Sequence, residues 1–281
     1  MKRLLLIVVH TLCCLVLFSQ EYNKLVEKSF ECIENEDWLC AEDYIVKALK
    51  SEPANVQNSL LLSNLGTIQR YMGKNEDAIK SYTNALMITP RSVTILKNRA
   101  SLYASIDSLD RAISDYSQVV ALDINEEDAI YRRGLVYLQK LDTLSARCDF
   151  ETLLKINPES RNASIGFAAL MKYRNYYDEA VNIYSKIIKL NERDFDAYFG
   201  RAEAYFYLGK MAKAREDIKK AIDIDDKDPL AYVLRAKIGW SQFERESAIK
   251  DFDKAVELGY PKETADKILS ELQSESKRRK R

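Results

Sequence analysis

A spacing of 34 residues constrains this chain more than any other feature of its sequence. An alanine recurs at this spacing, five times without an insertion: Ala78, Ala112, Ala146, Ala180, Ala214 and Ala248. Four residues after each alanine stands a large aromatic or aliphatic side chain: Tyr82, Tyr116, Phe150, Tyr184, Ile218 and Phe252. Self-similarity at one fixed period is typical of a repeat architecture.

Each 34-residue unit has the periodicity of two helices. In the second half of one unit, Ala78, Tyr82 and Ala85 fall on one face of a helix. In the first half, Leu62 and Leu65 do the same. Between the halves lie residues that mostly tolerate a tight chain reversal: Gly73, Asp107, Leu141, Asn175 and Gly209. A single helix pair cannot bury its apolar faces, so the units are expected to stack.

A column of small residues completes the pattern. It precedes the alanine column by twelve positions: Gly66, Ala100, Gly134, Ala168, Ala202 and Ala236. Pro90 and Pro158 then close two of the units. Together these columns closely resemble the tetratricopeptide repeat, a helix-turn-helix unit of the same length. The resemblance implies an all-α fold, a right-handed superhelical solenoid in which the small column is buried between paired helices.

The spacing divides the chain into seven repeats followed by a capping helix. We place the repeat array at 22–262, with repeats near 22–55, 59–92, 93–126, 127–160, 161–194, 195–228 and 229–262. The step from Ala41 to Ala78 is three residues longer than the others, which places the extra residues near Val56 and Gln57. Residues 263–281 are predicted to form a capping helix and a basic tail, because a solenoid end needs a polar outer face.

Residues 1–19 have a different character. Lys2 and Arg3 precede an apolar run from Leu4 to Phe18, and Ser19 follows. A basic segment, an apolar segment and a small residue are typical of a secretory signal peptide. A retained anchor is the alternative, although the run is shorter than the roughly 20 residues needed to cross a bilayer. We therefore expect an exported protein that is periplasmic, envelope-associated or secreted, with no membrane span after cleavage.

Charge gives no reason to expect nucleic acid as a partner. Lys plus Arg and Asp plus Glu both number 43, so the body of the chain has no strong field of either sign. The exception is the C-terminal run from Lys277 to Arg281. It is either a solvated tail or a segment that adheres to an acidic lipid or polymer.

The sequence offers little for catalysis. The single histidine, His10, lies in the export segment, so the mature chain has no imidazole for a general base, a catalytic triad or a metal ligand. It also has no phosphate-cradling glycine loop, CxxC pair or HExxH motif. We therefore expect a protein that is not an enzyme and has neither a cofactor nor a metal site.

Three cysteines remain after the export segment. Cys32 and Cys40 flank the reversal near Glu36, so an antiparallel helix pair brings them close, and an oxidising compartment favours a disulfide between them. The alternative is that Cys32 is a small core residue and Cys40 a surface thiol. Cys148 is expected to stay unpaired.

The family resemblance places partner binding on the concave side, which first helices line. Applied to this sequence, it predicts a set of partner-binding residues: Lys97, Asn98, Tyr131, Arg132, Phe199, Glu203, Phe206, Lys237 and Trp240. Aromatic anchors alternate with charges in this set, as in many protein interfaces. For Phe206 and Trp240 the alternative is packing in the core, since Gly239 leaves space for the indole ring.

The clamp by which chaperone-binding relatives grip an acidic carboxyl terminus is incomplete here. Asn98 and Arg132 fit its pattern, but Ser63, Thr67 and Asp128 replace its other members. The predicted function is therefore a non-catalytic protein interaction scaffold that binds a peptide segment or partner helix in its concave groove. The alternative is a structural or regulatory subunit of an envelope complex, docked through its convex face.

Overall fold

The computed structural model describes the backbone of residues 20–278 and the side chains of residues 20–274. Over this range the chain consists of helices and connecting turns, with no strand. The all-α, helix-turn-helix architecture is therefore confirmed. The chain forms two compact units, one ending at Lys140 and the other beginning at Leu141.

The first unit contains seven described helices. They are α1 (20–34), α2 (Trp38–Ser51), α3 (Asn58–Tyr71), α4 (Asn75–Ile88), α5 (Val93–Ser105), α6 (Leu109–Leu122) and α7 (Glu127–Gln139). The second unit contains α8 (Thr143–Ile156), α9 (Arg161–Tyr173), α10 (Tyr177–Leu190), α11 (Phe195–Tyr207), α12 (Met211–Ile224), α13 (Pro229–Ser241), α14 (Arg245–Glu257) and α15 (Lys262–Arg278). Within each unit, helices adjacent in sequence contact each other, as in α3 with α4 and α11 with α12.

The reversals between paired helices use a left-handed residue at a fixed position. All five residues expected there have positive φ: Gly73, Asp107, Leu141, Asn175 and Gly209. Phe243 has the same conformation in the last repeat, with φ of 66°. Bulky side chains seldom adopt this conformation, because their Cβ crowds the backbone. Leu141 and Phe243 therefore adopt the turn conformation shared by the other repeats, although their side chains disfavour positive φ.

The small column lies in the core, as the spacing predicts. Ala100, Ala168, Ala202 and Ala236 are fully buried. A Cβ added to Gly66 would lie within 3.0 Å of the Tyr82 ring, so the glycine makes room for the aromatic side chain of its partner helix. The alanine column is buried to the same degree: Ala78, Ala112, Ala146, Ala180, Ala214 and Ala248.

Buried arginine–aspartate pairs connect the helices of several repeats. Arg99 on α5 donates two hydrogen bonds to the Asp115 carboxylate on α6, at 2.7 and 2.8 Å. Its third nitrogen donates to the Thr83 hydroxyl on α4. Arg201 binds Asp217 and Ser185 in the same way. Because bidentate bonds satisfy each buried charge, these pairs fix how neighbouring helices pack.

Polar contacts hold the longer connection after the first repeat. The Asn58 side chain is buried and donates to the carbonyl oxygens of Glu52 and Pro53. It also accepts a hydrogen bond from the Tyr22 hydroxyl at 3.1 Å. The Asn58 side chain thus ties the longer connection to α1 and satisfies two of its backbone oxygens.

The two termini are only partly described. The predicted signal segment, residues 1–19, lies outside the described range, as do the side chains of the basic run 277–281. Among the helices from residue 20 onward, none combines the length and apolar character needed to cross a membrane.

Candidate partner-binding site

First helices of successive repeats lie side by side within each unit. In the second unit α11 contacts both α9 and α13, and in the first unit α3 contacts α5. The predicted site residues lie on these helices and on α7. We call the outward surface of α9, α11 and α13 the first-helix face of the second unit. Its counterpart in the first unit consists of the outward surfaces of α3, α5 and α7.

An ion-pair network covers the predicted site in the first unit. The Lys97 ammonium group lies 2.8 Å from Glu126 and 2.7 Å from Asp128. Arg132 donates to the other Asp128 oxygen at 2.7 Å. These bonds satisfy the site's two predicted cations with carboxylates from the same protein.

The pKa values of this network follow from those contacts. Burial alone lowers the pKa of the Lys97 ammonium group, but hydrogen bonds to Asp128 and Glu126 outweigh it, so the pKa lies above its usual value. Burial alone raises the pKa of the Asp128 carboxyl, and hydrogen bonds from Lys97 and Arg132 reverse the shift and lower it. Lys97 and Asp128 therefore both stay charged at neutral pH. Asn98 and Tyr131 lie half-buried on α5 and α7.

The predicted aromatic residues of α11, Phe199 and Phe206, belong to two separate groups of contacting rings. The half-buried Phe199 ring stacks on Phe195 at a centroid distance of 5.9 Å. Phe206, also half-buried, meets Tyr207 edge-on at 5.6 Å. Tyr207 in turn stacks on Tyr177 of α10 at 5.1 Å. Rings in such contacts are held in place before any partner arrives, which lowers the entropic cost of binding.

The charges of this face are also largely paired. Glu203 on α11 forms an ion pair with Lys172 on α9. Arg161 binds Asp194 and Asp196. Lys237 on α13 is half-buried and forms no ion pair with any residue of the described range. It is therefore the cation of this face best able to pair with a partner.

Trp240 does not line an open surface, and its prediction as a contact residue was wrong. The side chain is only 7% exposed and packs in the core with Phe252 and Ala265. Its indole N–H donates to the Leu272 carbonyl of α15 at 3.2 Å. The C-terminal helix covers the ring, which is the core alternative that the neighbouring Gly239 suggests.

Sequence reasoning missed a column of exposed tyrosines. Tyr71, Tyr173 and Tyr207 each follow the small column by five residues, and between 43% and 70% of their surface is exposed. Tyr71 stacks on Trp38 at 5.3 Å, as Tyr207 stacks on Tyr177. The recurrence of tyrosine at one repeat position was the signal that could have identified them.

The first two cysteines of the described residues are joined. Cys32 and Cys40 form a disulfide with their Cα atoms 5.8 Å apart. It connects the end of α1 to the start of α2, across the turn at Glu36. Cys148 is exposed and free. Among the side chains of residues 20–274, no cluster of His, Cys, Asp and Glu could hold a metal ion.

Helix pairs of this length and packing define an α-helical repeat protein, and comparison with known proteins gives its family. A model of the tetratricopeptide repeat matches residues 63–127 and 169–229. A crystal structure of a tetratricopeptide repeat protein from Parabacteroides merdae is 40% identical, with a TM-score of 0.79, and the match covers 90% of this chain and 99% of that one. The chain belongs to the tetratricopeptide repeat family. Members of this family generally act as non-catalytic scaffolds that bind other proteins or peptides.

More distant matches agree with the fold. Yeast Tom70 has a TM-score of 0.58 at 15% identity, over 85% of this chain and 60% of that one. DnaJ homolog subfamily C member 3 from Bos taurus is 28% identical over 149 residues, which are 52% of this chain. The match spans only 29% of that relative's length.

Proposed function

We propose that this protein is an exported interaction scaffold that binds an extended peptide segment on the first-helix face of its second unit. The observation that carries the proposal is a pair of ring groups on α11, Phe199 with Phe195 and Phe206 with Tyr207, whose rings are fixed by neighbouring rings yet remain partly exposed. Partly exposed aromatic side chains grouped along one helix are typical of protein interaction sites. The unpaired Lys237 on the same face adds a charge for orienting the partner.

The first unit presents a weaker case for binding. There Lys97, Arg132, Asp128 and Glu126 satisfy one another, so a partner must break existing ion pairs before it gains new ones. We therefore propose the aromatic residues of the second unit as the peptide site, in preference to Lys97, Asn98, Tyr131 and Arg132 of the first unit.

Two features support an export route. Residues 1–19 have the composition of a signal peptide, and the Cys32–Cys40 disulfide is of a kind that persists in oxidising compartments. Expression with and without residues 1–19, followed by fractionation, tests the location. Export of only the full chain is the expected result, and equal distribution of both forms contradicts it.

Binding is tested with peptides selected from a random phage library on the purified protein. Phe199→Ala should weaken a selected peptide by roughly tenfold or more, mainly through faster dissociation. Phe243→Ala is the matched control, because Phe243 is an exposed ring in the turn after α13 and not on a first helix. Circular dichroism shows whether each variant keeps its fold.

Lys237→Ala provides a second comparison, because Lys237 lies on the proposed face and forms no ion pair with any described residue. Loss of this cation should alter the salt dependence of binding more than its strength, since partly exposed charges act chiefly on association. Selected peptides that bind Phe199→Ala as tightly as the wild type contradict the proposed site. That outcome favours docking through the second helices, which is the structural or regulatory alternative.

A further inference from the structure

A buried tyrosine reaches the first-helix face of the second unit from behind. Tyr184 belongs to α10 and is only 2% exposed. A Cβ added to Gly200 of α11 would lie within 3.0 Å of the Tyr184 ring and hydroxyl oxygen. Glycine at this position therefore lets the end of the tyrosine side chain pass beside the α11 backbone.

The Tyr184 hydroxyl has no hydrogen-bond partner among the described residues, whereas the hydroxyl of Tyr82, three repeats earlier, has one. Tyr82 occupies the equivalent position in its repeat, and its hydroxyl lies 2.9 Å from the Thr67 hydroxyl. The residue equivalent to Thr67 is Ala169, which offers no polar side-chain atom. Within residues 20–274, no fully buried side-chain polar atom lacks a partner. The unpaired Tyr184 oxygen therefore keeps contact with solvent.

The charges around this hydroxyl restrict what it can bind. Burial raises the pKa of Tyr184, and the negative charges of Glu203 and Asp196 raise it further, so the group stays protonated and can donate. Glu203 and Asp196 are themselves paired with Lys172 and Arg161, so these neighbouring groups offer an anionic acceptor no free positive charge. A neutral carbonyl oxygen is the acceptor that fits.

We infer that the Tyr184 hydroxyl donates a hydrogen bond to a main-chain carbonyl of an extended peptide lying across α11. An extended segment exposes its carbonyl groups, whereas a helix uses them internally. The partly exposed Phe199 lies on the same helix as Gly200 and provides an apolar contact for the peptide's side chains. This inference rests on the proposed function, because it concerns how the same face recognises its peptide.

Tyr184→Phe tests the hydrogen bond with little disturbance of the fold. The probe is a peptide selected on the wild-type protein from a random phage library. Its affinity should fall roughly threefold to tenfold, which corresponds to the loss of one hydrogen bond. The melting temperature should not fall, because the hydroxyl has no intramolecular partner to lose.

Tyr82→Phe is the matched control. It removes the same group from the equivalent position of the first unit, where the hydroxyl bonds Thr67. This variant should lower the melting temperature and leave peptide affinity unchanged. Unchanged affinity in Tyr184→Phe overturns the inference, and the proposed function still stands if Phe199→Ala weakens the same peptide. Failure of both variants to weaken it contradicts the proposed function as well.

Ester substitution in the peptide identifies the acceptor. Replacing one amide by an ester weakens the carbonyl of that linkage as an acceptor. At one position the ester should weaken binding to the wild type and have less effect on Tyr184→Phe, since both changes remove the same bond. Effects that add at every position show that the hydroxyl does not bind a main-chain carbonyl, and this result overturns the inference.

Discussion

Gly200 and Gly239 are two helical glycines in very different surroundings. At Gly200 an added Cβ would overlap the Tyr184 ring, which is held in the core between α10 and α11. At Gly239 the nearest atom to an added Cβ is 3.8 Å away, an ordinary packing distance. The effect of a glycine-to-alanine substitution on the free energy of unfolding therefore depends on whether a ring lies against the glycine.

We predict that Gly200→Ala lowers the free energy of unfolding by about 1 to 3 kcal/mol, because overpacking forces the Tyr184 ring or α11 to move. Gly239→Ala should be neutral or raise it by up to about 1 kcal/mol, since alanine is the better helix former. Urea denaturation of both variants measures the difference. Equal effects of the two substitutions contradict the assigned packing.

Asp194 links the start of α11 to α9. Its carboxylate accepts hydrogen bonds from Arg161 at 2.5 and 2.7 Å and from the backbone N–H of Ala197 at 3.0 Å. Burial alone raises the pKa of this carboxyl, but these bonds outweigh it and hold the pKa below its usual value. The carboxylate therefore contributes stability above the unfolded-state pKa of about 3.9, and this is lost as the pH falls through the folded-state pKa.

Asp194→Asn should consequently flatten the loss of stability below about pH 4, relative to the wild type. Asparagine still caps the helix, so the change acts mainly on the charge. Arg161→Met should flatten the same part of the profile, because the carboxylate then lacks its cation. Thermal melts between neutral and acidic pH measure both. Wild-type slopes in both variants would show that this pair does not set the acid sensitivity.

At single positions the sequence predicts burial better than contacts. The spacing identifies Ala202 and Ala168 as buried, because repeat columns share one environment. It leaves Trp240 undecided, since the covering residue Leu272 belongs to α15, outside the repeat pattern. It also gives no sign that Lys97 is satisfied by Glu126, because that pairing depends on side-chain conformations.

Among the elements, α15 closes the array by covering the last repeat. Ala265 is 3% exposed, and Ile268, Leu269 and Leu272 pack with it against the core around Trp240. The opposite side of the helix is exposed and charged. This amphipathic pattern was visible in the sequence, as expected for the end of a stacked array.

Ala265→Glu should therefore destabilise the last repeat by about 3 kcal/mol, because it places an unpaired charge in an apolar contact. Thr264→Glu is the matched control, since Thr264 lies next to it on the exposed side of the same helix. Tryptophan fluorescence during thermal unfolding reports on Trp240 when both variants also carry Trp38→Phe, which removes the other tryptophan of the chain. If the two variants melt alike, α15 does not dock as described.

At the scale of the molecule, fold class and repeat length followed from the sequence because each unit is defined by local contacts. Reversals at Gly73 and Gly209 and the buried alanine column recur with the 34-residue period. Which of the two units is the better candidate for peptide binding did not follow from the sequence, since it depends on which charges pair. Lys97 and Lys237 look alike in sequence, yet only Lys97 is neutralised by neighbouring carboxylates.

The most direct test of the account is hydroxyl-radical footprinting of the purified protein with and without a selected peptide. Bound peptide should slow oxidation of Phe199, Phe206 and Tyr207 and leave exposed Phe243 unchanged. Leu190, which is 89% exposed at the end of α10, reports on the second-helix side. Protection of Leu190 without protection of the three rings contradicts binding on the first-helix face.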